Sequence, residues 1–305
     1  MLISKRDKIL FYLLLPPATT LLCFLVLTIL VISSISLDSI QIFGIKLFIS
    51  NIWNPEHEEY GLIAPIIGSI STSIIAILTA FSLAMPLSIF IAEYLYGFTK
   101  KVFSSIIEVM GGLPTILYAM WASTYLVPVL KNYVMEILYS QFSFIPLFSC
   151  KPITGFSVFA AGVSIGISIV PYVVAMISEA YQSIPFAYKE ACYGIGATRY
   201  ETIKMLVSIA KPAILASLIL GFARSLGETT IAVATVGNSM YLSSCIFAPS
   251  YTVSALIASQ FANAYLYRYA GSVLYVGALV ILAISILLSF LGLTIIIKWR
   301  TRLVV

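Results

Sequence analysis

Charge is what this chain has least of. Asp, Glu, Lys and Arg make up 10% of its 305 residues while 61% are hydrophobic, whereas a soluble domain carries about 25% charged residues. A water-facing surface cannot be assembled from that supply, so a soluble globular protein is excluded. A single histidine, His57, leaves no imidazole cluster for a catalytic metal. No glycine is followed by lysine anywhere in the chain, so the phosphate-cradling G-x-x-x-x-G-K-[ST] loop is missing. Any ATP that drives this chain must be hydrolysed elsewhere. The four cysteines, Cys23, Cys150, Cys192 and Cys245, are too widely spaced for a zinc or redox motif. The net charge of +5 is not gathered into a stripe that would track nucleic acid. Its basic residues fall in short groups at the edges of apolar runs, as membrane orientation signals do.

What is present is apolar length. A helix needs about 20 apolar residues to cross the hydrocarbon. Residues 9–35, 62–94, 102–130, 155–177, 212–236 and 271–297 meet that requirement and predict an all-α polytopic membrane protein with six transmembrane helices. The first run is longer than the roughly 7–15 apolar residues of a signal peptide and lacks a small-residue cleavage site, so it is expected to stay as a helix. Two further stretches, 137–148 and 242–264, are apolar as well. The first is too short to span, and charge parity excludes the second. With six spans and a cytoplasmic N-terminus, the inner segments hold twelve basic residues, among them Lys5, Arg6, Lys8, Lys189, Arg300 and Arg302. The outer ones hold only Lys46, Lys131, Lys151 and Arg268. This bias marks the inside, and a seventh span would put the basic tail "KWRTR" outside.

Cys150 and Cys245 then share the oxidising side, where a disulfide can join them. Cys23 reads as a small buried residue and Cys192 as a cytoplasmic thiol. The outer segment "NPEHEEYG" reads as a solvated acidic loop, because Glu56, Glu58 and Glu59 beside His57 have no metal-site spacing. Pro86, Pro171 and "GGLPT" at 111–115 interrupt spans. Each is either an ordinary kink or, for the Gly-Gly-x-Pro stretch, backbone opened along a pathway.

Between the fourth and fifth spans, about 179–211, lies a cytoplasmic loop with helix signals of its own. Ser183 is placed to cap a first helix, with Pro185 in its opening turn. That helix carries Tyr188, Ala191 and Cys192 and stops at 194–196. "TRYE" from Thr198 to Glu201 is a capping box that starts a second. Ile203, Leu206 and Val207 form its apolar stripe, opposite Arg199 and Lys204. Two short helices meeting at a glycine turn make a knob. Ala191, Gly194, Gly196 and Ala197 leave room on it for another protein. The stretch "EACYGIGATRYETIKMLVSIAKPAI" resembles the EAA loop of ABC-transporter permeases: Glu190, Ala191 and Gly196 match, Cys192 stands at the second Ala, and Ser208–Ile209 replace the late Leu-Pro. The resemblance implies that Glu190, Ala191, Gly194, Gly196, Ala197, Thr198 and Arg199 dock on a separate ATPase.

A second oddity is a charge pair inside the fifth span. Arg224 and Glu228 lie four apart, so on one helix they share a face. They are either a self-neutralising pair or the lining of an anion path. A guanidinium suits an oxyanion because its planar fork donates two parallel hydrogen bonds. Gly227 loosens the helix between them, and Asn238 and Ser239 add polar groups beyond. "ARSLGETTIAVATVGNS" closely resembles a segment of the permease subunits of phosphate-specific ABC transporters, above all the PstC type. Sulfate, molybdate and tungstate permeases usually have Phe-Gly where Thr229 and Thr230 stand here. "APIIGSISTSIIAILTAFSLAMPLSIFIAEY" and "EVMGGLPTILYAMWASTYLVPVL" carry the likeness over most of the chain from residue 62.

That resemblance implies a type I (MetI-like) importer permease fold, with 1–61 as a first span plus acidic outer loop and 62–305 as the permease domain. It implies a substrate path at Arg224, Glu228, Thr229 and Asn238. No cofactor is expected on this chain; ATP and Mg belong to an ATPase dimer. The other implied partners are a sister PstA-type permease subunit, an extracytoplasmic phosphate-binding protein and membrane lipid, in the cytoplasmic membrane of a prokaryote with both termini inside. An ion-coupled carrier or channel would explain Arg224 but not the capped knob. It would also carry a carboxylate or histidine relay through several spans. A membrane-embedded enzyme lacks any metal or nucleophile cluster to work with.

Overall fold

A computed structural model describes residues 5–304, with side chains from 10 to 301, so the basic side chains counted at Lys5, Arg6, Lys8 and Arg302 lie outside those described. Five helices are long and apolar enough to cross a membrane, and there are six crossings when one sharply bent pair counts as a single span. In chain order the helices of six residues or more are α1 (Lys5–Phe43), α2 (Ile63–Glu93), α3 (Gly97–Gly112), α4 (Thr115–Phe142), α5 (Val158–Gln182), α6 (Phe186–Gly194), α7 (Arg199–Leu226), α8 (Thr230–Thr235), α9 (Val253–Ala264) and α10 (Ala270–Val304).

The centre is the α2–α5 pair. Ser69, Ser73, Ala76, Ala80 and Ala84 are buried along α2, and α5 meets them with Gly162 and Gly166. Helices in lipid gain little from hydrophobic exclusion, so small residues that let backbones approach supply the packing. A Cβ at Gly162 would lie 2.5 Å from the Ile75 Cβ, and one at Gly166 would lie 2.7 Å from the Ala76 carbonyl oxygen. Ser88 then reaches across to the Val174 carbonyl at 3.3 Å. Gly166→Leu is therefore expected to force α2 and α5 apart. Overpacking of this kind costs about 1–3 kcal/mol or more, which a thermal-unfolding scan in detergent reads as a lowered transition. An unchanged transition would show the close approach to be dispensable.

α7 packs on α10, where a Cβ at Gly292 would meet the Leu220 Cγ at 2.8 Å. The Trp299 indole donates to the Ile209 carbonyl at 2.8 Å, and Arg300 pairs with Glu179 at 2.6 Å. α1 touches the body only near its end, through Ser39 on Ser272 and the Phe43 ring edge-on to Tyr269. From Leu10 to Thr28 every side chain of α1 is exposed. Cys23, expected to be buried, is exposed there because no neighbour covers that face. After α1 comes a minimal hairpin, Trp53–Asn54 against Glu59–Tyr60, turned by Pro55–His57 and by Glu58 at φ 55°. His57 and the three glutamates stand exposed around that turn.

The expected third span, 102–130, is two helices rather than one. α3 stops at Gly112 and α4 leaves at 90°. Proline disfavours the helical conformation in the residue before it, and Leu113 ahead of Pro114 is extended, at φ −66° and ψ 134°. The Gly-Gly-x-Pro stretch is thus a break, not a kink. α4 then runs on to Phe142, taking in the start of the 137–148 stretch. The 242–264 stretch is a loop followed by the 12-residue α9. At about 18 Å α9 is too short to cross. Within that loop Cys245 forms a disulfide with Cys150, their Cα atoms 6.1 Å apart.

Candidate functional site

The helix that carries Arg224 starts earlier and ends sooner than 212–236. α7 opens at Arg199, passes Pro212 without interruption and stops at Leu226. In a helix Pro212 forgoes its bond to the Ser208 carbonyl and its ring crowds that oxygen, and both residues are exposed. The second helix expected in the 179–211 loop is therefore not a short separate one: it is the first turns of the membrane helix itself. Arg224 stands roughly 20 Å along α7 from Lys211 at 1.5 Å per residue, within a hydrocarbon layer about 30 Å thick.

α7 closes through Gly227 N–H to the Arg224 carbonyl at 3.3 Å and Glu228 N–H to the Ser225 carbonyl at 3.2 Å. Arg224 and Glu228 were expected to share a helical face, and they do not. The helix has ended before Glu228, and among the described residues no ion pair joins the two. The guanidinium is exposed and lies over the Tyr172 ring, 5.2 Å from its centroid. Such a contact steadies a cation without neutralising it. Glu228 is half-buried, and its backbone carbonyl accepts a 2.8 Å bond from the Ser254 hydroxyl. Thr229 donates to the Gly227 carbonyl at 3.3 Å. Asn238, at φ 47°, donates its amide to the Val233 carbonyl at 2.7 Å and closes α8. Its neighbour Gly237, at φ 90°, leaves room for Pro249, which a Cβ would meet at 2.6 Å.

Two helix breaks come together here. The hydroxyls of Thr115, at the start of α4, and Thr230, at the start of α8, are 3.4 Å apart. On the other side of the first break, Gly111 lies against Pro171, with 3.3 Å from its would-be Cβ to the Pro171 Cβ, one residue from Tyr172. Interrupted helices open free backbone groups into a membrane protein's interior, where a ligand can use them. The sequence marked the interruption at 111–115 but only a loosened helix at Gly227; it singled out Thr230 beside Thr229 but not Thr115 or Tyr172. Nothing in a linear chain signals that positions so distant will meet.

The knob between α5 and α7 has the predicted glycine turn and capping box. The Thr198 hydroxyl accepts from Glu201 N–H at 3.4 Å, and Thr198 N–H donates to the Glu201 carboxylate at 2.8 Å. Ser183 does not cap α6. It ends α5 instead, its hydroxyl donating to the Ala180 carbonyl, and Pro185 precedes α6 without a side-chain cap. Glu190, Ala191, Gly194, Gly196 and Thr198 are exposed and Ala197 is half-buried. Gly196 makes the turn at φ 83°, and nothing lies within 4 Å of a Cβ placed on it or on Gly194. Cys192 is the one buried residue of α6, with its thiol 3.3 Å from the Met205 sulfur.

Arg199 is exposed too, but its guanidinium lies back against the body. It stacks 4.2 Å above the Tyr94 ring centroid and donates to the Tyr96 hydroxyl at 2.9 Å. Beside it, Lys189 pairs with the buried carboxylate of Glu93 at 2.8 Å. This cluster of Glu93, Tyr94, Tyr96, Tyr181, Lys189 and Arg199 was not predicted as a site. Its one sequence signal is the carboxylate of Glu93 at the end of an otherwise apolar span.

The family model for binding-protein-dependent transport system inner membrane components matches residues 84–300. A probable phosphate transport system permease protein PstC of Methanocaldococcus jannaschii is 45% identical over 269 residues, covering 87% of this chain and 85% of that protein. The phosphate transport system permease protein PstC of Pasteurella multocida is 32% identical, over 75% of this chain and 73% of its own. Among solved structures, the inward-facing MetNI methionine ABC transporter superposes with a TM-score of 0.57 at 14% identity, over 81% of this chain and 99% of that one. At that identity the likeness shows the fold alone, and the fold is that of a MetI-like importer permease.

Proposed function

The chain belongs to the family of binding-protein-dependent transport system inner membrane components, and from that premise we propose that it is a permease subunit of an ATP-driven importer of inorganic phosphate. The carrying observation is Arg224: a guanidinium exposed inside the span, with no carboxylate pairing it among the described residues, at the junction of two helix breaks. A charge there costs roughly 2.5–3.5 kcal/mol on insertion scales. A negatively charged cargo gives that charge a purpose.

Glu228, Thr229 and Asn238 extend the same path. Phosphate near neutral pH keeps a P–O–H donor that Glu228 can accept, whereas sulfate has none, and a site with an unmatched acceptor rejects a ligand lacking the donor. The exposed surface from Glu190 to Thr198 docks on a separate ATPase that binds ATP and Mg. A second permease subunit completes the path, and an extracytoplasmic binding protein delivers phosphate. The positive-inside bias puts both termini in the cytoplasm. The Cys150–Cys245 disulfide, on the side that this topology makes extracytoplasmic, supports the same orientation. The permease unit starts at about residue 62.

The test is ATP-dependent uptake of radiolabelled phosphate by the complete transporter in proteoliposomes. Arsenate, which shares the protonated geometry, is expected to compete, and sulfate is not. Glu228→Gln is expected to weaken the discrimination against sulfate about 10-fold or more, since one unmatched polar group is worth about 1–3 kcal/mol. Uptake that proceeds without ATP or an ATPase partner would favour a channel or secondary carrier instead. Unchanged selectivity in Glu228→Gln would remove the acceptor role.

A further inference from the structure

Glu93, the last residue of α2, is 3% exposed. Lys189 on α6 donates to both of its carboxylate oxygens at 2.8 Å, and Tyr181 at the end of α5 donates to Oε1 at 3.0 Å. Its backbone carbonyl accepts from the Arg199 guanidinium, at the start of α7, and from the Tyr96 hydroxyl. Both helices of the cytoplasmic knob therefore grip one residue, α6 through the side chain and α7 through the main chain.

Packing does not hold α6 to α2. A cleft of about 490 Å³ lies beside the ion pair, bounded by Ile184, Phe186 and Leu206, and α6 has only Cys192 buried, turned towards α7. The spacing of α6 and α2 is thus set by a charge pair. A buried carboxylate resists losing its partner strongly, because it would be left uncompensated. A knob held only through α7 and the chain entering α6 would move without α2 when pushed. One fastened at Glu93 must carry α2 with it.

We infer that Glu93 is a positioning residue that fastens the knob to the cytoplasmic end of α2, so that movement imposed on α6 by the ATPase enters the membrane through α2 as well as α7. This rests on the reading that the knob docks on an ATPase. α2 is the packing partner of α5, and α5 carries Tyr172 beneath Arg224, so displacement of α2 reaches the anion path through that close helix pair.

The test uses the complete transporter in proteoliposomes, with three readouts: ATPase retained on purification, ATP hydrolysis, and phosphate moved per ATP. Glu93→Gln keeps the volume and the main-chain contacts and removes the charge. It is expected to retain the ATPase and keep hydrolysis within about twofold, while phosphate moved per ATP falls about 10-fold, inside the range of coupling effects between distant sites. The neutral double variant Glu93→Gln with Lys189→Met leaves no unpaired charge should the single variant fail to fold, and the same fall is expected. Exchanging the partners, Glu93→Lys with Lys189→Glu, is expected to restore most of the ratio. A parental ratio in the neutral variants overturns the inference, as does an equal loss of ATPase and uptake, which would mark a merely structural pair. A parent protein that retains no ATPase overturns the docking reading itself, and the inference with it.

Discussion

Arg224→Ala is expected to lower ATP-dependent phosphate uptake about 10- to 100-fold, since hydrogen bonds to a charged group are worth about 1.5–3 kcal/mol and each 1.4 kcal/mol is tenfold. The usual objection to such a variant is that it fails to insert or fold. Here the substitution works the other way: removing a cation from the span removes an insertion cost. The guanidinium also makes no ion pair among the described residues that its loss would orphan. Its position over Tyr172 is given up. The ATPase is therefore expected to stay bound to the variant while transport falls. Arg224→Lys should fall between the two, because an ammonium keeps the charge but not the two-pronged donor geometry that fits an oxyanion. An alanine variant that transports at the parental rate would show that the anion does not meet this side chain. The substrate would then rest on likeness to relatives alone.

Features governed by local length were legible in the sequence. Apolar runs marked the crossings, and the capping box at Thr198 and the glycine turn at Gly194–Gly196 fixed the knob, because both act over three or four residues. Where helices stop was harder to read. Pro114 sets the break before α4 through the residue ahead of it, Leu113, whereas Pro212 lies inside an unbroken helix. Proline alone does not separate the two cases. The two glycines ahead of Leu113 and Pro114, absent before Pro212, do. Gly227 was read as a loosened helix, and it is a helix end. That one difference takes Arg224 and Glu228 off a shared helical face, and among the described residues no ion pair joins them. Glu93 with Lys189 and Thr115 with Thr230 were invisible because each contact joins residues about a hundred positions apart. Helix packing brings them together, and no short pattern carries that information.

Gly194→Trp is expected to strip the ATPase from the purified complex and reduce uptake about 100-fold, as an overpacked contact costing about 3 kcal/mol would. The position is chosen because the chain itself has no objection to a side chain there. Nothing lies within 4 Å of a Cβ on Gly194, and the residue is the last of α6, outside the left-handed region. A larger residue should if anything favour the helix, since glycine costs about 0.8–1.0 kcal/mol relative to alanine in a helix interior. Gly196 would be a poor choice: at φ 83° any substitution strains the turn, and a loss of docking would then have two causes. Gly194→Ala is the control, expected to bind the ATPase as the parent does, because one methyl group does not close the open face. The thermal transition of Gly194→Trp should match the parent's, which separates a blocked partner from a damaged fold. If Gly194→Trp keeps its ATPase and its uptake, the open glycine face of the knob is not where the motor sits. The docking surface would then have to be sought elsewhere on the cytoplasmic side.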